Sequence, residues 1–216
     1  MLKKQLIVFD LDGTLIQSDI DYVGIRDELR LILKNLVEED KFSRIQNTVH
    51  TILELVEIIE KNDVSGNLFR KAWSLVEEYE MKGYEKAFLT QNTHETLMKL
   101  RELNHVIVIY TNNSRKLTDF ALEKFELENY VDFVLTRDEV ENCKPNPEGL
   151  FFIMKRFNQK RENTIFIGDS WVDAETAINA KMDFAYLGTE GAPGTRRKKI
   201  KATYVIEKIE DIFAIV

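Results

Sequence analysis

The sequence predicts a Rossmann-like α/β fold, a parallel sheet flanked by helices, with an all-helical domain inserted into it. Three observations lead there. Short, nearly continuous apolar runs rich in strand formers recur along the chain. Helical spacing falls between them. One interval between two such runs is far too long for a simple crossover and holds no strand pattern.

Taken in order, Gln5-Leu6-Ile7-Val8-Phe9 is the first run, and Val106–Tyr110, Tyr130–Leu135 and Thr164–Ile167 follow. Phe184–Leu187 and Thr203–Ile206 are weaker strand candidates. Strands without polar alternation belong to sheets covered on both faces, which is the parallel arrangement. In the long interval, Ile25, Leu29, Ile32, Leu33 and Leu36 mark one amphipathic helix. Val49, Ile52, Leu53, Val56 and Ile59 mark a second, and Phe69, Ala72, Trp73, Val76 and Tyr79 a third. Trp73 and Tyr79 are read as core on this spacing. Breaks are expected near Glu38-Glu39-Asp40, near Asn62 to Gly66, and at Gly83. A crossover needs only about a dozen residues or more, so 18–87 reads as an inserted helical domain. Residues 1–17 and 88–216 form the sheet domain. Beyond the insert, Leu97, Leu100 and Leu103 mark a helix, with Asn92 and Glu95 as its capping signal.

Composition narrows the classes. The 216 residues are 44% hydrophobic and 31% charged, ordinary for a globular chain that buries a full core. No apolar run approaches the roughly 18 residues that span a bilayer, so no membrane partner is expected. The first apolar stretch ends on Asp10 with no small-residue cleavage site, which argues for a strand over a secretory signal. One cysteine, Cys143, allows no internal disulfide; a cytoplasmic location is the expectation, and no role is assigned to the thiol. A net charge of −7 argues against nucleic-acid binding. The basic cluster Arg196-Arg197-Lys198-Lys199 with Lys201, after Gly191-Ala192-Pro193-Gly194, reads as a solvated loop.

The chemistry concentrates after the strands. Asp10-Leu11-Asp12-Gly13-Thr14-Leu15 follows the first run directly, placing two carboxylates where open α/β sheets bind ligands. An Asp-Gly hairpin turn is the bland alternative. It is set aside because no second strand is expected after Gly13, where Gln17-Ser18-Asp19 opens a helical region. Thr111-Asn112-Asn113 follows the second run, Lys144-Pro145 comes nine residues after the third, and Gly168-Asp169-Ser170-Trp171-Val172-Asp173 follows the fourth. Each has an ordinary explanation alone: a helix cap at Thr111 to Ser114, a surface lysine at Lys144, acids favouring a helix start at Asp169 and Asp173. Together they do not, because all the strand ends of a parallel sheet share one edge.

This ordered set, Asp-x-Asp-Gly-Thr-Leu, a strand ending in Thr-Asn, Lys-Pro, and Gly-Asp-Ser-x-x-Asp, resembles the haloacid dehalogenase-like hydrolases over the whole sheet domain. The insert looks like that family's helical cap of the first type, as in phosphoglycolate phosphatases and β-phosphoglucomutases. The resemblance implies Asp10 as the nucleophile forming an aspartyl phosphate, and Asp12 as the acid and then base. It implies Mg²⁺ on Asp10, the Asp12 carbonyl and Asp169, with Asp173 as a direct or supporting ligand. Lys144 and Thr111 complete the catalytic set, and Gly13, Asn112 and Asn113 are read as substrate-binding, the Asn112 backbone donating to phosphoryl oxygens. The family's dehalogenases lack an aspartate at the place of Asp12, so dehalogenation is not expected. The partner that the resemblance implies is a small phosphorylated metabolite, phosphoglycolate first, with sugar phosphates or pyrophosphate next. A phosphomutase and a non-enzymatic binding protein are the alternatives, and monomer and homodimer both stay open. The cap is read as a lid hinged near Gln17-Ser18 and Phe88-Leu89. His50, His94 and His105 are read as structural or solvated; Trp171, beside Asp169, is left open between core and site.

Overall fold

Leu6–Phe9 are fully buried apolar residues and form the first strand, β1. The computed structural model describes residues 6–48, 50–188 and 201–216. In chain order β1 is followed by β2 (Ile16–Gln17), α1 (Tyr22–Lys34), α2 (Glu39–Gln46), α3 (Ile52–Asn62), α4 (Asn67–Glu85) and β3 (Phe88–Leu89). Then come α5 (Thr93–Glu102), β4 (Val106–Tyr110), α6 (Arg115–Lys124), β5 (Phe133–Leu135) and α7 (Glu148–Arg156). The chain continues through β6 (Thr164–Gly168), α8 (Trp171–Ala180), β7 (Asp183–Leu187) and β8 (Tyr204–Ile206). The predicted Gln5, Val49, the Gly191 to Gly194 stretch and the Arg196 to Lys199 part of the basic cluster lie outside the described residues.

Six strands make one parallel sheet in the order β5-β4-β1-β6-β7-β8. Val8 pairs with Val108 on one side and Phe166 on the other, so β1 lies between β4 and β6. Leu6, Val8, Val108, Tyr110, Leu150, Phe166 and Phe184 share one buried cluster, formed where the sheet meets its flanking helices. The chain divides into two compact units, Met1–Ser18 with Phe88–Val216, and Asp19–Ala87. Among the described residues no helix is long and apolar enough to cross a membrane.

The helical unit differs from expectation in three ways. Among its described residues it has four helices, not three: the break near Glu38-Glu39-Asp40 is present at residues 35–38, but Glu39 and Asp40 then open a further helix, α2, because acids are favoured in a helix's first turn. Gly83 does not end α4. A side chain there would fall 2.7 Å from the Ile20 backbone, so the glycine admits close packing. The buried face of α4 is Ala72, Val76, Glu80, Gly83 and Tyr84, and Trp73 and Tyr79 flank it half-buried. Leu29, Leu55 and Ile59 are fully out of water, each contributing about 1.5–3 kcal/mol. Packing of this kind, more than propensity, holds such helices.

Three local expectations in the sheet unit also change. A strand does follow Gly13, but β2 pairs antiparallel with the distant β3 and makes no hairpin with β1. Asn92 is left-handed (φ 62°) and caps nothing with its side chain, which donates to Glu210 at 2.7 Å. Glu128–Tyr130 form a 3-10 turn, so the third run narrows to β5.

Candidate active site

β1 runs straight into Asp10, whose N–H donates to the Ile167 carbonyl at 2.8 Å. β4 runs into Thr111, whose N–H donates to the Leu135 carbonyl at 3.0 Å. β6 ends at Gly168 and is followed by Asp169 and α8. Since β4, β1 and β6 are adjacent and parallel, their carboxyl ends open on one crevice. Lys144 enters from the segment between β5 and α7.

Lys144 joins these elements. Its Nζ donates to Asp10 Oδ1 at 2.7 Å and to Asp173 Oδ1 at 2.6 Å, and all three residues are buried. The other Asp173 oxygen accepts from the Ser170 hydroxyl and from the Ser170 N–H. Ser170 Oγ in turn accepts from the Asp173 N–H at 3.2 Å, so the capping box of α8 orients the carboxylate that faces Lys144. The Tyr110 and Phe166 ring centroids each lie 5.4 Å from the ammonium. A desolvated cation over such rings gains about 2 kcal/mol.

Burial is the main cause raising the Asp10 pKa to about 7, with Lys144 pulling it down and Asp173 pushing it further up. Asp169 is raised well above the usual carboxylate range by burial first, then by the charges of Asp10, Asp173 and Asp12. Burial opposes the charge of Lys144, but Asp10 and Asp173 together keep its pKa above the ordinary lysine value. One ammonium therefore faces an excess of carboxylates.

A divalent cation fits that imbalance. One ligand oxygen from each of Asp10, Asp169 and Asp173 lies within 4.8 Å of the others. An all-oxygen donor set suits a hard cation. Asp12 is not among these three; it sits half-buried on the turn beyond Asp10 and bridges Ile16. Gly13 takes φ +87°, and a Cβ there would fall 2.3 Å from Asp169 Oδ2. Glycine lets the first loop approach the last. A hollow of about 460 Å³ opens beside Gly13 and Asp169, bordered also by Gln17, Thr90, Tyr186 and Lys208.

The second loop is brought to the same place. Thr111 is buried, and its Oγ1 accepts from the Asn113 N–H at 3.1 Å. Asn113 is buried, with its carbonyl accepting from the Arg137 N–H at 3.2 Å. The Asn112 side chain bonds the backbone of Lys144. Sequence reasoning gave no part to Tyr110, Phe166 or Arg137, and named Ser170 only within the Gly-Asp-Ser-x-x-Asp motif, without a role. Tyr110 and Phe166 lie within apolar strands and look like core. Arg137 carries no local pattern at all, although it is nearly buried. The remaining candidates are engaged elsewhere: His94 Nε2 lies 2.7 Å from the Phe125 carbonyl and His50 lies 3.7 Å from Glu54. Trp171 is the half-buried first residue of α8, and Cys143 is partly buried.

Residues 7–187 match the model of a known family, described as haloacid dehalogenase-like hydrolase. The chain belongs to that family. Among curated relatives of this haloacid dehalogenase-like hydrolase is the pyrophosphatase PpaX of Bacillus mycoides (strain KBAB4). It is 26% identical over 220 residues, covering 99% of this chain and 97% of the relative. A predicted phosphoglycolate phosphatase from Haemophilus somnus 129PT superposes with a TM-score of 0.69 at 19% identity, over 98% of this chain and 97% of the other. A candidate β-phosphoglucomutase from Thermotoga maritima does so at 0.65 and 21%, over 98% and 97%. At such identities the structural likenesses speak for the fold alone.

Proposed function

We propose that this hydrolase is a magnesium-dependent phosphatase that releases phosphate from a small phosphorylated metabolite through an aspartyl phosphate on Asp10. The observation that carries the reading is the meeting of Asp10, Lys144 and Asp169 at one sheet edge, with the ammonium 2.7 Å from the Asp10 carboxylate. Phosphoryl transfer demands positioning and charge neutralisation above all, and a fixed cation against a carboxylate nucleophile supplies both.

In the first step an Asp10 oxygen attacks phosphorus in line, the bond to the leaving oxygen breaks, and Asp12 gives that oxygen its proton. In the second, Asp12 takes a proton from the water that attacks the phosphoryl group, freeing phosphate and restoring Asp10. Lys144 holds positive charge beside the reacting oxygens, and Thr111 with the Asn112 N–H donates to them. Gly13 contributes space and Asn113 holds the loop. Mg²⁺, when held by Asp10, the Asp12 carbonyl and Asp169 with Asp173 nearby, supplies charge that offsets the carboxylates and the phosphate. Asp10 needs this, because a nucleophile whose pKa lies near 7 is partly protonated at neutral pH. The inserted helical residues 18–87 act as a lid that selects the leaving group, hinged near Gln17-Ser18 and Phe88-Leu89.

The pyrophosphatase relatives support pyrophosphate as a substrate to set beside phosphoglycolate and sugar phosphates. A panel of these compounds, assayed for released phosphate with and without Mg²⁺, tests the reading. We expect release that depends on the metal and a phosphoryl group on the Asp10 peptide by mass spectrometry after rapid acid quench. No release from any compound, or full release in excess chelator, overturns it. Acceleration by a bisphosphorylated sugar redirects it toward a mutase.

A further inference from the structure

We infer that Asn112 is a positioning residue whose side chain acts through Lys144; this rests on the phosphatase reading for its consequence in turnover. A lysine side chain gives up much rotamer freedom when it is fixed. Holding its ammonium between two carboxylates therefore requires that the backbone from which it springs be fixed first. The Asn112 amide does this at both ends. Its Nδ2 donates to the Lys144 carbonyl at 2.9 Å, and its Oδ1 accepts from the Lys144 N–H at 3.0 Å. Two opposed bonds on one residue set both the position and the rotation of that residue's backbone, as a strand partner does.

The support continues behind Asn112. Its carbonyl accepts from the Arg137 guanidinium at 3.2 Å, and the Arg137 N–H donates to the Asn113 carbonyl at 3.2 Å. Arg137 is only 9% exposed, so these bonds are shielded from water. Asn112 follows β4 by two residues, and β4 lies beside β1, which runs directly into Asp10. The clasp thereby ties the lysine's loop to the strand edge that bears its carboxylate partner. Only an amide meets both needs at this length. Aspartate accepts from the Lys144 N–H but has no donor for the carbonyl, and serine is too short to reach both.

A double-mutant cycle tests the inference, with p-nitrophenyl phosphate and Mg²⁺ as the probe. We expect Asn112→Ala to lower kcat roughly 10- to 10²-fold, the scale on which misplacement costs rate, with KM moved by less than about twofold. In a Lys144→Ala background the same change adds less than about twofold, because the group it positions is gone. Effects that multiply in full overturn the inference. Asn112→Asp keeps the size and one bond, and falls between wild type and Asn112→Ala even where the alanine variant folds poorly. A second arm needs no turnover: acetic anhydride labelling of the Lys144 amine, read by peptide mass, is slow in wild type and several-fold faster in Asn112→Asp. Unchanged labelling removes the clasp. A wild type that labels as expected yet turns over no phosphate compound removes the phosphatase reading alone.

Discussion

Asp63 in the helical unit and Asp10 in the sheet unit are aspartates held by opposite physics. Asp63 follows α3, and its Oδ2 accepts from the N–H groups of Leu68 and Phe69 at 2.6 and 2.9 Å while Oδ1 takes Ser65. The bond from Phe69, at the start of α4, is the main cause holding its pKa below the usual value. Its charge is wanted by the fold. Asp10 is buried with Asp173 beside it, and its pKa rises despite Lys144. Its charge is tolerated by the fold and, in the proposed reaction, wanted by the chemistry. An acid that stabilises is thus separable from one that works by the sign of its shift, and that separation can be tested.

The largest effect follows from Asp10→Asn. Turnover should fall by at least ~10³, comparable to other lost catalytic groups. The denaturant midpoint should hold or rise, since burial already disfavours the Asp10 charge and Asp173 still pairs with Lys144. Near-normal turnover, or a variant that unfolds, would break the distinction between a working and a stabilising acid.

Next in size is the response to pH and metal. For a carboxyl whose folded pKa is raised, the folded chain binds more protons than the unfolded one between the two values. Stability then declines as pH rises through that window. Asp10 places the window between about 4 and about 7, and Asp169 shifts in the same direction. The metal-free protein should therefore lose stability across that range. Mg²⁺ at about 100 times its dissociation constant should restore about 3 kcal/mol at neutral pH. Thermal midpoints in chelator and in Mg²⁺ measure both, and Asp169→Asn should remove the metal's share. A midpoint indifferent to Mg²⁺ would leave the carboxylate group without its proposed occupant.

The two units were unequally legible. The apolar runs of β1, β4 and β6 could be read because strands covered on both faces need nothing but bulk, and the residues after each strand end carry side chains that a core does not. The helical unit was read less well. Its α2 buries only Phe42 and Ile45, too few for a period to show, and its acids resemble a break. α4 buries Glu80 and Gly83, which no apolar template selects. Within the site, the carboxylates and lysine could be found because their types name their chemistry. Arg137 and the side-chain use of Asn112 could not, since their partners lie far along the chain and depend on how β4, β5 and the lysine loop are folded together.

The smallest effect belongs to Asp63. A carboxyl with a depressed folded pKa contributes stability that is present above its unfolded value, near 4, and is lost as pH falls through the lower folded value. Asp63→Asn keeps the shape and one acceptor oxygen but removes the charge that faces the Leu68 and Phe69 N–H groups. The variant should melt a few degrees lower than wild type at pH 7, a small shift of the kind a lost helix-end charge produces. Below about pH 4 the difference should shrink, and it should vanish only under the lower folded value, where the wild-type group is neutral as well. Turnover per folded molecule should stay at the wild-type level, as Asp63 lies in the helical unit and contributes no group to the cluster around Lys144. Melting curves from pH 3 to 7 decide the matter. A difference that persists undiminished at pH 3 would mean that Asp63 works through shape, and its contrast with Asp10 would no longer be one of charge.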